Sequence, residues 1–304
     1  MKIVFLSVFF AIMFFVSVAM AGVGIYLEND LGYGDRHYTH GTRLEYIPST
    51  TPEWAKGVFP KNKVTMGISI AQYMYTPSDI SISELIEDDR PYGGWAYMGL
   101  LFNGSKGNFL HLVEVDVGIT GPPSLAEGTQ KFVHKMISNL IPRGWENQIK
   151  TEPGLCLTYQ RKYKKRCKYE NNFDLDLIVH GGGAAGNIFS YMNGGGMLRT
   201  GFNVPDDFGY IKMEPSARII KDFSWYVFVG TDIRWVHHNI FLDGNTYQDS
   251  HSVIKNPIVY DMNCGTGIKA WDLELIYSYT FRSKEFKLQD EPNVFRSLSI
   301  RWRY

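Results

Sequence analysis

The sequence predicts an all-β fold: a twelve-stranded antiparallel transmembrane β-barrel with one helix in an external or lumenal connection. Three observations predict it. The chain opens with an export signal, alternates apolar and polar residues through most of its remaining length, and divides into an even number of strand-length segments.

The export signal comes first. Lys2 gives a short positive start, an apolar run extends from Ile3 to Met20, and Ala19-Met20-Ala21 is a small-x-small cleavage site. The rival reading is a membrane anchor, because the run is nearly long enough to span a bilayer. Against it, no polar linker follows Ala21 and strand-like sequence begins at once. The expectation is a signal peptide over 1–21, one barrel domain over 22–304, and a mature chain starting at Gly22. No later segment offers ~20 consecutive apolar residues, so no second membrane helix is expected.

The alternation is clear in Trp271 to Tyr279, where Trp271, Leu273, Leu275, Tyr277 and Tyr279 share one face. Asp272, Glu274 and Ser278 take the other, and Ile276 breaks the pattern. Such a strand suits either a soluble sandwich or a barrel, in which the apolar face meets lipid. The export signal, segments of ~10 residues or more and the aromatic terminus Trp302-Arg303-Tyr304 select the barrel. The 19 tyrosines and 7 tryptophans suffice for interfacial girdles.

The strands are expected near 23–30, 37–47, 63–76, 92–102, 109–120, 149–163, 172–184, 190–203, 223–238, 251–268, 271–283 and 294–304. External connections then fall at 31–36, 77–91, 121–148, 185–189, 239–250 and 284–293, and hold nearly all the unusual polar clusters. The opposite connections, such as 103–108, read as plain turns.

Charge excludes one class of partner. With 31 basic and 31 acidic residues the chain has no electrostatic footprint for nucleic acid. Its three cysteines are too few for a disulfide framework; Cys156 and Cys167 either meet across a hairpin or stay free thiols.

A helix is expected over 124–140. Ser124-Leu125-Ala126-Glu127 reads as a capping box, Pro122-Pro123 precede it, and Pro142 with Gly144 end it. Gln130 and His134 stand one turn apart on one face that Ile137 continues, while Phe132, Val133, Met136 and Leu140 pack elsewhere. By itself His134 reads as an interior hydrogen-bonded histidine of a plug. In company it reads as a general base, with a glutamine to orient water. Asn29 and Asp30 add hard oxygen ligands suited to calcium, a Lewis acid for an ester carbonyl. No G-x-S-x-G elbow is present, which argues against an α/β-hydrolase.

The motifs fall in a telling order. Glu28-Asn29-Asp30 and Asp35-Arg36-His37-Tyr38-Thr39-His40-Gly41 are followed by Asp89-Arg90-Pro91-Tyr92-Gly93-Gly94-Trp95 and Asp116-Val117-Gly118-Ile119-Thr120-Gly121-Pro122. Next come Gln130-Lys131-Phe132-Val133-His134, Gly144-Trp145-Glu146-Asn147-Gln148 and Phe241-Leu242-Asp243-Gly244-Asn245-Thr246. Across essentially the whole mature chain this series resembles the lipid A 3′-O-deacylase family.

The resemblance implies a calcium-dependent esterase of the bacterial outer membrane, removing the 3′-linked acyloxyacyl chain from the lipid A of lipopolysaccharide in the outer leaflet. It places the site among lumen-facing residues near the outer-leaflet end. By it, His134 activates water, calcium near Asn29 and Asp30 polarises the ester carbonyl, and Thr39 and Gln130 position water or substrate. One departure stands out: the family's site lysine between strands three and four has no counterpart, since 64–105 contains no lysine. Arg90 is the cation offered in its stead for a lipid A phosphate. The alternatives are an outer-membrane esterase of phospholipase type and a non-catalytic barrel or pore.

Overall fold

The computed structural model describes residues 20–30, 34–169, 172–209 and 223–303. Its strands are β1 (Met20–Asn29), β2 (His37–Pro48), β3 (Lys63–Thr76), β4 (Gly93–Lys106), β5 (Phe109–Thr120) and β6 (Pro153–Lys168). They continue as β7 (Phe173–Gly186), β8 (Phe189–Phe202), β9 (Ser224–Asn239), β10 (Ile258–Ala270), β11 (Leu273–Arg282) and β12 (Asn293–Arg303). Each pairs antiparallel with its sequence neighbours, and β1 pairs with β12 to close the barrel. The expected leader lies outside the described residues, except for Met20 and Ala21, which open β1. Among the described residues no helix is long and apolar enough to cross a membrane.

The alternation becomes two surfaces. On β11, Leu273, Leu275 and Tyr277 are exposed outward, while Glu274, Ile276 and Ser278 are buried inward. Ile276, which broke the pattern in the sequence, packs inside with Tyr226, Phe228, Val204 and Met197. That cluster exists because residues 203–209, expected as a plain turn, fold back into one mouth of the barrel. Val204 and Phe208 are buried there, and Asp207 pairs with Arg199 at 2.6 Å, which also holds Asp176 at 2.7 Å. An inward carboxylate needs such a partner, because an unpaired buried charge costs several kcal/mol.

The other mouth is closed by the connection after β9, which starts with the single turn α3 (Ile240–Asp243; α1 is the turn Glu53–Lys56 and α2 the helix Ala126–Ile137). Phe241 of α3 stacks on Tyr75 with ring centroids 4.1 Å apart, amid Ile149, Ile188 and Trp95. Between the two closures lies a cavity of about 350 Å³, lined by side chains that include Tyr38, Arg43, Tyr97, Asp232 and Arg282.

Glu152, just before β6, ties three connections together. Its carboxylate accepts from Asn187 Nδ2 at 2.8 Å, Asn245 Nδ2 at 3.1 Å and the backbone N–H groups of Thr246 at 2.9 Å and Tyr247 at 3.3 Å. Burial pushes this carboxyl up, but the donors outweigh burial and hold it below its ordinary 4.5. A depressed folded value gives a contribution that is full above 4.5 and lost as pH falls through the lower folded value. The clamp therefore loosens only in stronger acid. Glu152→Gln should cost about 1–3 kcal/mol locally. Faster hydrogen exchange at the Thr246 and Tyr247 amides, by roughly 5- to 150-fold, would register it; unchanged exchange would remove the clamp.

One open alternative is settled and one expectation needs correction. Cys156 and Cys167 both lie on β6, eleven residues apart, hence roughly 36 Å along the strand. A disulfide needs Cα atoms within about 7 Å, and none of the three cysteines is joined to another. The helix, α2, is shorter than expected and carries no capping box. Ser124 instead ends a 3-10 turn (Pro122–Ser124), its Oγ donating to Gly121 O at 2.6 Å, and Glu127 pairs with Lys131 at 2.6 Å. Leu125 takes the N-cap position at φ 61° and Ser138 ends the helix at φ 56°, before Pro142 is reached.

Candidate functional site

Strand parity decides where the site lies. On β3 and β4 the odd-numbered Tyr73, Tyr75, Trp95 and Tyr97 line the lumenal cavity, whereas Ile70 and Met98 are exposed on the outside. Gly94 shares the outward parity of Met98. A Cβ built on it would sit 2.2 Å from Ser124 Oγ and 2.4 Å from Ala126 Cβ. Helix α2 therefore packs on the exterior of the barrel wall, at the rim, with Gly94 permitting the close approach. Gln72 Nε2 donates to Ser124 O at 2.7 Å, and Met74, Tyr92, Ala126 and Trp145 form the small core beneath. The residues named for the site thus do not lie among lumen-facing ones, as the resemblance implied, but gather in the cleft between helix and outer wall. The lining of the lumenal cavity contains none of Asn29, Asp30, Thr39, Gln130 or His134.

The helix presents a polar face inward. Gln130 and His134 are buried; Ile137, expected to continue their face, is exposed. Trp145, wholly buried, donates from Nε1 to Gln130 Oε1 at 2.8 Å. Indole is only a donor, so this contact fixes the amide: the Gln130 NH₂ must face the other way. It donates to Asp35 Oδ2 at 3.1 Å. His134 Nε2 meets the same oxygen, and its Nδ1 lies on the carbonyl of Leu140. Both ring nitrogens thus face acceptors.

The wall supplies the rest. The β2–β3 register shifts between Tyr38 and His40. This bulge re-aims Thr39, whose Oγ1 lies 2.7 Å from Thr76 Oγ1, and Thr76 donates to Asp35 O at 2.6 Å. Asn29 Nδ2 and the Asp30 N–H both donate to Thr39 O, at 3.0 and 3.3 Å. Asp30 Oδ2 accepts from Arg36 N at 2.6 Å. Burial, and after it the nearby Asp35 carboxylate, pushes the Asp30 carboxyl up to about 8. Asn29 Oδ1 and Asp30 Oδ1 are buried with no hydrogen-bond partner among the described residues. Orphaned oxygens of this kind beside crowded carboxylates fit a hard cation.

Asn29, Asp30, Thr39, Gln130 and His134 are therefore joined in one network through Asp35 and Thr76. Neither of those two was singled out in the sequence, and nor was Trp145. Asp35 stood in a polar cluster with no feature to separate it from its neighbours. Arg90 lies elsewhere: only 1% exposed, it pairs with Glu285 at 3.2 Å and lies over the rings of Tyr75 and Phe286. It links two external connections on the lumen side of the wall.

Known proteins place this arrangement in context. The profile of the family described as outer membrane protein LpxR matches residues 4–304. The chain belongs to the LpxR family. Membership over that span also makes it an outer membrane protein. Among solved structures, LpxR from Salmonella typhimurium is similar with a TM-score of 0.80 at 19% identity, covering 93% of this chain and 100% of that one. The β-domain of the Bordetella autotransporter BrkA reaches a TM-score of 0.46 at 9% identity, covering 94% of this chain and 99% of that one. No curated protein sequence matches the chain. At such identities the structural likeness bears on the fold, while family membership rests on the profile.

Proposed function

We propose that this LpxR-family barrel is a lipid A deacylase, a calcium-dependent esterase that removes the 3′-linked acyloxyacyl chain by attack of water. The observation that carries the reading is the convergence, in one rim cleft, of His134, Gln130, Asp35 and the unpartnered oxygens of Asn29 and Asp30.

The chain's own groups divide the work. Leu140 O holds His134 Nδ1–H and so directs Nε2 into the cleft as the base. Nε2 takes a proton from a water that enters between it and Asp35; the freed hydroxide oxygen attacks the ester carbonyl carbon. The same imidazole returns the proton to the leaving alkoxide, giving alcohol and carboxylic acid. Asp35 accepts a hydrogen bond from the water's second O–H, whose hydrogen stays on the attacking oxygen, and so orients the attack. Gln130, locked by Trp145, keeps Asp35 in place. Thr39, through Thr76, fixes the turn that carries Asp35. Asn29 and Asp30 would hold the calcium, and when bound it supplies Lewis-acid stabilisation of the ester oxygen. Arg90 ties two loops through Nη2 on Glu285, while its Nε and Nη1 have no hydrogen-bond partner among the described residues.

A pore has less support. Phe241 and its neighbours fill one mouth and residues 203–209 enter the other. Between the two esterase readings, lipid A is preferred because lipopolysaccharide surrounds the helix-bearing rim of an outer-membrane barrel.

The test is mass spectrometry of lipid A from membranes containing the folded wild type, with calcium or with chelator. Loss of the mass of one acyloxyacyl group with calcium, prevented by chelator, is the expected result. Intact lipid A in both arms would overturn the esterase reading; loss in both arms would remove calcium from it.

A further inference from the structure

Helix α2 carries a surface that the chemistry leaves unused. At 100° per residue, Ala126, Gln130 and His134 occupy the face against the wall, and Glu127, Lys131 and Lys135 lie together on one flank. The opposite flank is apolar and open: Phe132 is 58% exposed, Val133 42% and Met136 37%, with Leu125 at 69% just before the helix and Leu140 at 47% just after it. Leu125 shows this exposure in a left-handed conformation, which a branched side chain adopts at a cost of order 1–3 kcal/mol. A soluble loop helix would carry polar residues there.

The height of the helix on the wall determines what covers this flank. Gly94, against which the helix sits, is eight residues along β4 from Phe102. At about 3.3 Å per residue and a tilt of about 40°, that separation is roughly 20 Å along the membrane normal. Phe102 contacts Trp54 of α1, itself 63% exposed, on the outer face near the other end. Tryptophan is the residue of the membrane interface. With one interface at Trp54 and an apolar band about 25 Å tall, α2 lies at the upper edge of that band. The exposed Ile70 and Met98 on the wall below continue the helix's apolar flank downward.

We propose that α2 is an interfacial helix whose apolar flank lies among the acyl chains of the outer leaflet, so that an acyl ester reaches His134 sideways from the bilayer. Its lateral-delivery half rests on the deacylase reading; its immersion half rests on the helix alone. Apolar surface at an interface settles about 5–10 Å into the acyl boundary, while Lys131 and Lys135 stay at headgroup level. The chain to be cut then runs along Phe132 and Met136 with its ester at the level of the cleft.

The experiment places nitroxide labels at Phe132→Cys, Met136→Cys and Lys135→Cys. Each is made in the full chain with Cys156, Cys167 and Cys264 replaced by serine, and reconstituted in dimyristoyl phosphatidylcholine vesicles. Collision with oxygen relative to a water-soluble nickel chelate should be severalfold higher at positions 132 and 136 than at 135. Equal ratios at the three positions, or a higher one at 135, would overturn the proposal. Deacylation of lipid A by the wild type is measured separately. Immersion without deacylation would leave the interfacial helix standing and remove lateral delivery; deacylation without immersion would sink the helix proposal alone.

Discussion

His134→Ala should abolish most of the hydrolysis while the barrel folds as before. General-base catalysis by a positioned side chain contributes about 10²–10⁴-fold, and the drop should fall on kcat. His134 is buried in the cleft, and its ring bonds to Leu140 O and Asp35, neither of them in a strand, so its loss removes no strand pairing. Asp35→Asn gives the more informative comparison. Asparagine keeps the shape but cannot accept as a charged group from both Gln130 and the attacking water. Since Asp35 acts by orienting, its loss should lower kcat by about 10–100-fold with KM little changed, less than His134→Ala. Release of labelled acyl product from purified lipid A, beside a gel-mobility check of folding, measures both. Full activity of a folded His134→Ala protein would end the histidine-base mechanism. An equal fall for Asp35→Asn and His134→Ala would make Asp35 part of the base itself.

Much of the barrel was legible because period-2 alternation is a local signal that lipid outside and a polar lumen impose on every strand. Twelve strands, their parity and a helix between the fifth and sixth were all there to read. Individual residues escaped where tertiary contact overrode the local rule. Ile276 looked like a flaw until the inturned Val204, with Tyr226, Phe228 and Met197, gave it a core. Ser124 looked like a helix cap, but Pro122 and Pro123 carried it into a 3-10 turn with Gly121 O as its acceptor. The site was half legible. Spacing along a helix put Gln130 and His134 on one face, but no spacing rule says which face of the wall a helix will meet. That choice depends on Gly94, and on the bulge at Thr39 that turns the Asp35 carbonyl toward Thr76. Arg90 adds a tie that no spacing showed: from its loop motif it reaches Glu285, 195 residues along the chain.

Gly94→Val should then silence the site without touching any residue of its chemistry. The added Cβ falls 2.2 Å from Ser124 Oγ and 2.4 Å from Ala126 Cβ, and both residues are 1% exposed, so neither has room to yield. Overpacking of this kind costs about 1–3 kcal/mol, and the weaker partner must move. The wall is fixed by a full ladder from β3 to β5, whereas a helix of twelve residues is marginal in isolation and depends on its seat. The helix therefore lifts, and it carries Gln130 and His134 away from Asp35. A shift of about 1 Å in a reacting geometry can cost 10²-fold, so activity should fall by about that factor while strand content and gel mobility stay those of the wild type. Met98→Val supplies the control, because Met98 lies four residues along on the same outward face and is 67% exposed. Comparable activity in the two variants would mean that α2 does not need its seat on Gly94, and that the cleft is not where the ester is cut.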